Sequence, residues 1–490
     1  MLHDVPVIDL SPSSIGKYFK TRISSLCTLP ESHAPINPFP SLKHMTRRNW
    51  LFFGVAFFGW TWDAVDFFAV SITASEIAET LDRPLTDITW GITLVLMLRS
   101  VGAIGFGLAG DRWGRKWPFI INCAIFIVLE IGTGFVKTYQ DFLAVRALFG
   151  VAMGGLFGNA AATALEDAPA ECRGVLSGLF QQGYAFGYLL VVVFSRAFEN
   201  TAKGWRSLFW FTAGPPVLII AWRLCLPETD AFLNELRARK EAQEQGIESI
   251  SKAELFRKQA KDALKHYWLI TIYLVIFMAI MNFSSHGSQD LYPSMLKNQL
   301  GYSSDRVTVT MVVANLGALC GGVTMGHLSE FLGRRLTVSI CAIIGGALIY
   351  PAFMLKNSGI NAGVFFLQFM VQGAWGVCPV FLSEMSPPAF RAFVAGTSYQ
   401  LGNLASSASS TIEARIGSRF PLGDKPGIYD YGKVMAIFMG CVFGALLIAA
   451  ILGMERFHAD FRTEEHIASE AAHDKFEEKA EDSMLEHKEN

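Results

Sequence analysis

Apolar runs of about 20 residues, the length a helix needs to cross a hydrocarbon layer, recur along most of this chain. Twelve are legible, at residues 50–74, 86–109, 118–136, 141–165, 174–195, 205–225, 267–290, 306–329, 335–355, 360–383, 392–413 and 433–454. The polar connections carry the charge. KHMTRR precedes the first run, and DRWGRK, ECRG, LGRR and FRAF each close an even-numbered one, so the positive-inside rule puts both termini in the cytosol. Residues 228–265, rich in Glu, Lys, Arg and Gln, predict a charged helical segment dividing six runs from six. The expected organisation is a cytosolic tail at 1–45, bundles at 46–226 and 266–455, a linker at 227–265 and an acidic tail at 456–490 that reads as disordered. The first 45 residues lack the basic, apolar, small-residue order of a secretory signal, so this tail is expected to stay attached.

Composition sharpens the picture. Of 490 residues 51% are hydrophobic and 17% charged, with mean hydropathy +0.34. This is a membrane profile, and a net charge of -2 gives no bias toward nucleic acid. Eight cysteines stand singly, without CxxC or His-spaced patterns, so they read as buried thiols and imply neither a metal nor a cofactor. A nucleophile elbow, HExxH, P-loop or dinucleotide fingerprint is not found, which argues against an enzyme.

The two halves repeat. GLAGDRWGRK (107–116) aligns with GHLSEFLGRR (326–335), pairing Asp111 with Glu330, Gly114 with Gly333 and Arg115 with Arg334. EDAPAECRG (166–174) then aligns with EMSPPAFRA (384–392), pairing Glu166 with Glu384 and Arg173 with Arg391. A repeated six-helix unit with a Gly-acid-Gly-basic loop between its second and third helices resembles the major facilitator superfamily over roughly residues 45–455. The resemblance implies an all-α membrane protein of twelve helices in two pseudo-symmetric bundles that rock about a midplane site. Asp111, Arg115, Glu330 and Arg334 would form gating latches in the loops. Charges that only set topology would account for the basic residues but not for Asp111 and Glu330.

Ionisable groups inside spans are costly and mark functional positions by default. Here they are Asp63 and Asp66 on the first run, Arg99 on the second, Glu130 on the third, Arg146 on the fourth, and His286 with Asp290 on the seventh. The last two stand four apart, on one helical face, a spacing that suits a proton relay or an interfacial pair where Tyr292 and Pro293 lead out of the membrane. Glu130 has no evident partner and reads as a structural contact.

NFSSHGSQDLYPS (282–294) narrows the family. Asn282, Ser285, His286, Ser288, Gln289 and Asp290 match the N-x-x-[ST]-H-x-[ST]-Q-D signature, so the chain resembles the fungal JEN-type carboxylate/proton symporters, the lactate permease group of the sialate symporter family. That pattern commonly ends in threonine, where this chain keeps a hydroxyl with Ser294. The resemblance implies substrate binding by Arg99, whose planar fork can hold both carboxylate oxygens, with Asn282, Ser285 and Gln289. It also implies a Gln-x-x-Asn pair near the substrate, which Gln400 and Asn403 fit, although both equally suit helix-to-helix hydrogen bonding. Ser177 and Gln182 occupy the pseudo-symmetric place in the other half. His286, Asp290, Asp63, Asp66 and Arg146 are the proton-coupling candidates.

Symport of a monocarboxylate with one proton is electroneutral, avoiding about 2.3 kcal/mol per charge per 100 mV. The expected partners are therefore a small carboxylate (lactate, pyruvate, acetate, succinate or malate), a proton and the bilayer, for a monomer in the plasma membrane. Other readings are a sugar or inorganic-anion carrier and a non-transporting nutrient receptor. PET at 227–229 resembles a sugar-porter signature, but the twelfth run ends in MERFHADF, without the matching PETKG-like sequence.

Overall fold

The computed structural model describes residues 11–30, 37, 40, 42–83, 85–198, 201–234, 236–237, 252–387, 390–417, 419–422 and 429–457. The acidic tail beyond residue 457 and the linker at 238–251 lie outside the described residues, as do residues 1–10 and most of 31–41. Helix dominates what is described, and the β structure there is an isolated bridge between Pro421 and Tyr429.

Ten of the twelve expected runs form helical stretches long and apolar enough to cross a membrane. In chain order the crossings are Arg47–Ile72, Leu85–Trp113, Lys116–Phe135, Tyr139–Gly154 with Leu156–Leu165, Arg173–Phe198, Trp205–Thr212 with Pro215–Cys225, Lys252–Gln289, Ser304–Leu332, and Gly359–Met385 as the tenth, with Tyr431–Leu452 as the twelfth. The ninth and eleventh, like the fourth and sixth, are each broken in two. Arg334–Ala347 gives way to Ile349–Phe353, where Pro351 cannot donate a backbone bond to Ala347. Arg391–Ser406 gives way to Ser409–Gly417; there the Ser406 and Ser407 hydroxyls bond to the carbonyls of Asn403 and Leu404, competing with the helical ladder. The seventh helix starts fifteen residues earlier than its apolar run, at Lys252 instead of residue 267, because the charged segment before it continues the same helix.

Val128, Leu218, Ile343 and Ile448 face outward, whereas Asp63, Arg99, Glu130 and Arg146 are buried. Lipid favours this inversion of a soluble protein, since hydrocarbon offers charged groups no partner. The halves pack alike: second crossing on fourth and eighth on tenth, first on fifth and seventh on eleventh. Between halves, the second meets the eleventh and the fifth meets the eighth.

Glycine allows the closest of these approaches. A Cβ on Gly102 would fall on the Val151 carbonyl, and one on Gly321 on the Phe369 carbonyl. The repeated loops also turn alike. Gly114 and Gly333 have φ +92° and +85°, a region glycine enters without penalty, and each donates to the carbonyl four residues back at 3.1 Å.

Gly102→Ala should therefore overpack the second and fourth crossings at about 1–3 kcal/mol and lower the thermal denaturation midpoint in detergent. Gly105→Ala, on the open face of the same helix, should leave that midpoint unchanged or raise it.

Candidate functional site

At the basic face, Asp111 ends the second crossing. Its Oδ1 accepts from Arg115 Nη1 at 2.6 Å and from the Ala392 N–H at 3.1 Å, and its Oδ2 accepts from the Phe393 N–H at 2.9 Å. Ala392 and Phe393 open the eleventh crossing, in the other bundle. The carboxylate thus caps the positive end of a helix across the bundle interface. Arg115 also donates to Glu166 at 2.8 Å, and Arg391 reaches the same Glu166 oxygen at 3.3 Å. Burial pushes the Glu166 carboxyl up, but the two guanidiniums outweigh it and hold its pKa below the ordinary value. The second half repeats the arrangement, with Arg334 bound to Glu330 at 2.8 Å and bidentate to Glu384 at 3.1 and 2.9 Å. Glu330 lies against Gly174, at the start of the fifth crossing.

Deeper in the first bundle lies a set of fully buried charges. Arg99 Nη2 is 3.6 Å from Asp63 Oδ2, too long for a hydrogen bond, and Arg99 Nε and Nη2 have no hydrogen-bond partner among the described residues. The Arg99 guanidinium faces the Phe67 ring at 5.4 Å. Arg146 donates to Thr133 Oγ1 at 2.7 Å and to Glu130 Oε1 at 3.4 Å, over the Phe149 ring. Glu130, expected to be a partnerless structural residue, therefore pairs with Arg146. Asp66 stands within electrostatic reach of Glu130, Asp63 and Arg146, with the Thr212 hydroxyl of the sixth crossing beside it.

Across the bundle interface, His286 Nδ1 and Asp290 Oδ2 are 3.1 Å apart, and both side chains are partly exposed. The seventh helix ends at Gln289, so the pair sits on its last turn. Arg99 is within electrostatic reach of His286, and the Tyr184 hydroxyl stands beside Arg99 with Asp290 in range. Tyr399 on the eleventh crossing completes this group. It stacks on Phe157 at 4.1 Å and meets Trp60 and Trp375 edge-on at 5.9 and 5.7 Å. These rings join the two bundles.

The structure thus sets Arg99 against Asp63 and His286 against Asp290, with Arg99 and His286 within electrostatic reach across the interface. Others of the expected residues point elsewhere. Asn282 bonds back to the Met278 carbonyl at 2.8 Å, and Gln289 is tied to Gln368 on the tenth crossing at 3.0 Å. Ser285 is half-buried on the same helix. Gln400 accepts from Asn403 at 3.2 Å, and its Nε2 has no partner among the described residues. Gln182 packs its amide against Gly322 on the eighth crossing, at the seam between bundles. Ser177 donates to the Gly376 carbonyl at 2.7 Å and accepts from the Val380 N–H at 3.1 Å. Its hydroxyl thus bridges a carbonyl and an N–H one turn apart on a helix of the opposite bundle, beside Pro379.

Sequence reasoning missed Glu166, Glu384 and Arg391 as members of the latches, although the repeat already paired them. It also missed Tyr184, Tyr399 and Gln368, whose neutral side chains leave no signal of charge inside a span.

Comparison with known proteins matches residues 48–461 to the sugar (and other) transporter family. A "Carboxylic acid transporter protein homolog" of Saccharomyces cerevisiae is 45% identical over 466 residues, covering 92% of this chain and 76% of that protein. A cis,cis-muconate transport protein of Acinetobacter baylyi is 24% identical over 375 residues, covering 76% and 87%. Among solved structures, the Escherichia coli proton:xylose symporter XylE superposes with TM-score 0.66 at 19% identity, over 86% of this chain and 98% of that one. The human organic anion transporter MFSD10 gives 0.60 at 14% identity, over 83% and 100%. At such identities these two speak for the fold alone.

Removing one partner of a buried ion pair costs about 3–5 kcal/mol, so Asp111→Asn and Glu166→Gln should each part the bundles at the basic face. Spin-label distances across that face should lengthen in both variants. In the unaltered protein the lowered Glu166 pKa keeps its contact at full strength above the ordinary carboxylate range. The contact should fail only as pH falls through the lowered value, so mild acidification leaves those distances unchanged.

Proposed function

The chain belongs to the sugar (and other) transporter family of the major facilitator superfamily, in its fungal JEN-type group, and from that premise we propose that it carries small carboxylates across the plasma membrane together with a proton. Lactate, pyruvate and acetate are the primary substrates in this reading, with succinate or malate as further ones. The protein is a transporter and not an enzyme.

The observation that carries the reading is Arg99. A guanidinium deep in the span, with two nitrogens lacking hydrogen-bond partners among the described residues and a 3.6 Å approach to Asp63, is incompletely compensated. An incoming carboxylate supplies the missing acceptors in bidentate geometry. The Tyr184 hydroxyl beside Arg99 can donate to the same anion, as can the Gln400 amide, which has no acceptor among the described residues. His286 and Asp290 on the facing bundle take up the proton, which offsets the anion's charge during transfer. The paired latches at the basic face hold that side shut while substrate enters from the other. Both termini then face the cytosol, by the positive-inside rule.

Hydrogen bonds to charged groups contribute about 1.5–3 kcal/mol, so Arg99→Ala should weaken lactate uptake about 10- to 100-fold at unchanged surface expression. Labelled lactate uptake in a permease-null yeast should fall as external pH rises and should not accumulate in the presence of a protonophore. Uptake indifferent to both treatments would end the symport reading. Competition by unlabelled mono- and dicarboxylates would rank the substrates.

A further inference from the structure

A helix that precedes the first crossing, Pro12–Cys27, carries a surface that transport does not use. Its N-terminus is capped by the Ser11 side chain. Residues 11–30 contain Lys17, Lys20 and Arg22 and no acidic residue. The helix is fastened to the other end of the chain. The Tyr18 hydroxyl donates to the Leu452 carbonyl at 2.6 Å, and Arg22, lying over the Tyr18 ring at 3.8 Å, donates to the Gly453 carbonyl at 3.0 Å. Arg335 donates to the Ser25 hydroxyl at 3.2 Å and, through its other nitrogens, to the carbonyls of Ala450 and Ile451. The carbonyls of a last helical turn have no donor of their own, and these close the twelfth crossing, Tyr431–Leu452. The short helix therefore lies where that crossing leaves the bilayer.

At about 100° per residue, its side chains sort into three arcs. Tyr18, Arg22 and Ser25 share the docked one. Phe19, Ile23 and Leu26 share a second, roughly a right angle to one side; Phe19 is 57% and Ile23 69% exposed. Lys17, Lys20 and Ser24 form the third, on the other side, and all three are exposed. A helix held by its flank at a membrane boundary turns one free arc to lipid and the other to water. Burying the two large apolar side chains, with the lysines reaching up to the headgroups, is the favoured choice. The surface they would join is already present: Ile448 and Leu452 of the twelfth crossing are exposed, and they run up to the carbonyl that Tyr18 holds.

We propose that Pro12–Cys27 is an interfacial anchor for the leaflet at the basic face. Phe19, Ile23 and Leu26 enter its hydrocarbon edge, and Lys17 and Lys20 bind its anionic phosphate headgroups. The helix precedes the first bundle in sequence but hangs from the second, so lipid grips the second bundle through it. This holds whatever solute the protein carries.

Two measurements on the full chain test the anchor. In nanodiscs of phosphatidylcholine with phosphatidylserine, and with the native cysteines replaced by serine, nitroxides are placed at Phe19→Cys, Ile23→Cys, Thr21→Cys and Ser24→Cys. Labels at 19 and 23 should collide more with oxygen than with a water-soluble nickel chelate, and those at 21 and 24 the reverse. Labels at 19 and 23 that behave like those at 21 and 24 would overturn the proposal. Labels there that are screened from both reagents would assign the face to a protein partner and overturn it too. In the protein with its own cysteines, amide hydrogen exchange over residues 17–27 should be about tenfold slower in discs containing phosphatidylserine than in phosphatidylcholine alone, and Lys17→Gln with Lys20→Gln should remove most of the difference. Equal exchange in the two lipids would overturn the anchor, and this comparison decides if the cysteine-free variants do not fold.

Discussion

A guanidinium in the middle of a bilayer has no water to fall back on, and much of this structure follows from how its buried guanidiniums are compensated. At the basic face the solution is complete: Arg115 and Arg334 each hold carboxylates in short, multiple hydrogen bonds. Arg99 is different. Its nearest carboxylate is 3.6 Å away and two of its nitrogens find no acceptor among the described residues. In a low-dielectric interior an unmade bond of this kind is expensive, so it persists where something else completes it. The contrast between saturated and unsaturated arginines separates the groups that hold the bundles together from the one proposed to receive a substrate.

The duplicated halves serve this division. Each contributes a carboxylate at the end of its second crossing, an arginine four residues on, and an acid at the end of its fourth. The Asp111 carboxylate uses the helix dipole of the eleventh crossing as well as a side-chain cation. Its hold on the other bundle therefore depends on the direction of a helix and not only on a neighbouring charge. The halves then diverge in the membrane interior. The first gathers carboxylates and guanidiniums, and the second presents an imidazole and a carboxylate on the last turn of the seventh helix.

Much of this was legible in the sequence because it is periodic or duplicated. Apolar runs located the crossings, and the repeated Gly-acid-Gly-basic loop located the latches and their two left-handed glycines. The four-residue spacing of His286 and Asp290 survived into a direct contact. Breaks in the ninth and eleventh crossings were not legible, since Pro351 and the serines near 406 occur within runs whose overall length is that of a continuous span. The partner of Glu130 was also hidden. Side chains on the third and fourth crossings meet only once the bundle has packed, and their separation of sixteen residues corresponds to no face of a single helix. For the same reason Asn282, Gln289 and Ser177 matched or mirrored a motif while their hydrogen bonds run to their own helix, to the tenth crossing and to the opposite bundle.

The Ser177 hydroxyl bonds at once to the Gly376 carbonyl and the Val380 N–H, which lie one turn apart on the tenth crossing. While the halves are together, the visiting oxygen satisfies both groups; when they separate, the two are left facing each other across one turn. The two are a donor and an acceptor at the ordinary spacing of the helical ladder, so withdrawal need not leave either stranded. A seam built in this way can be broken and remade many times at small cost, which suits a joint required to part on every cycle.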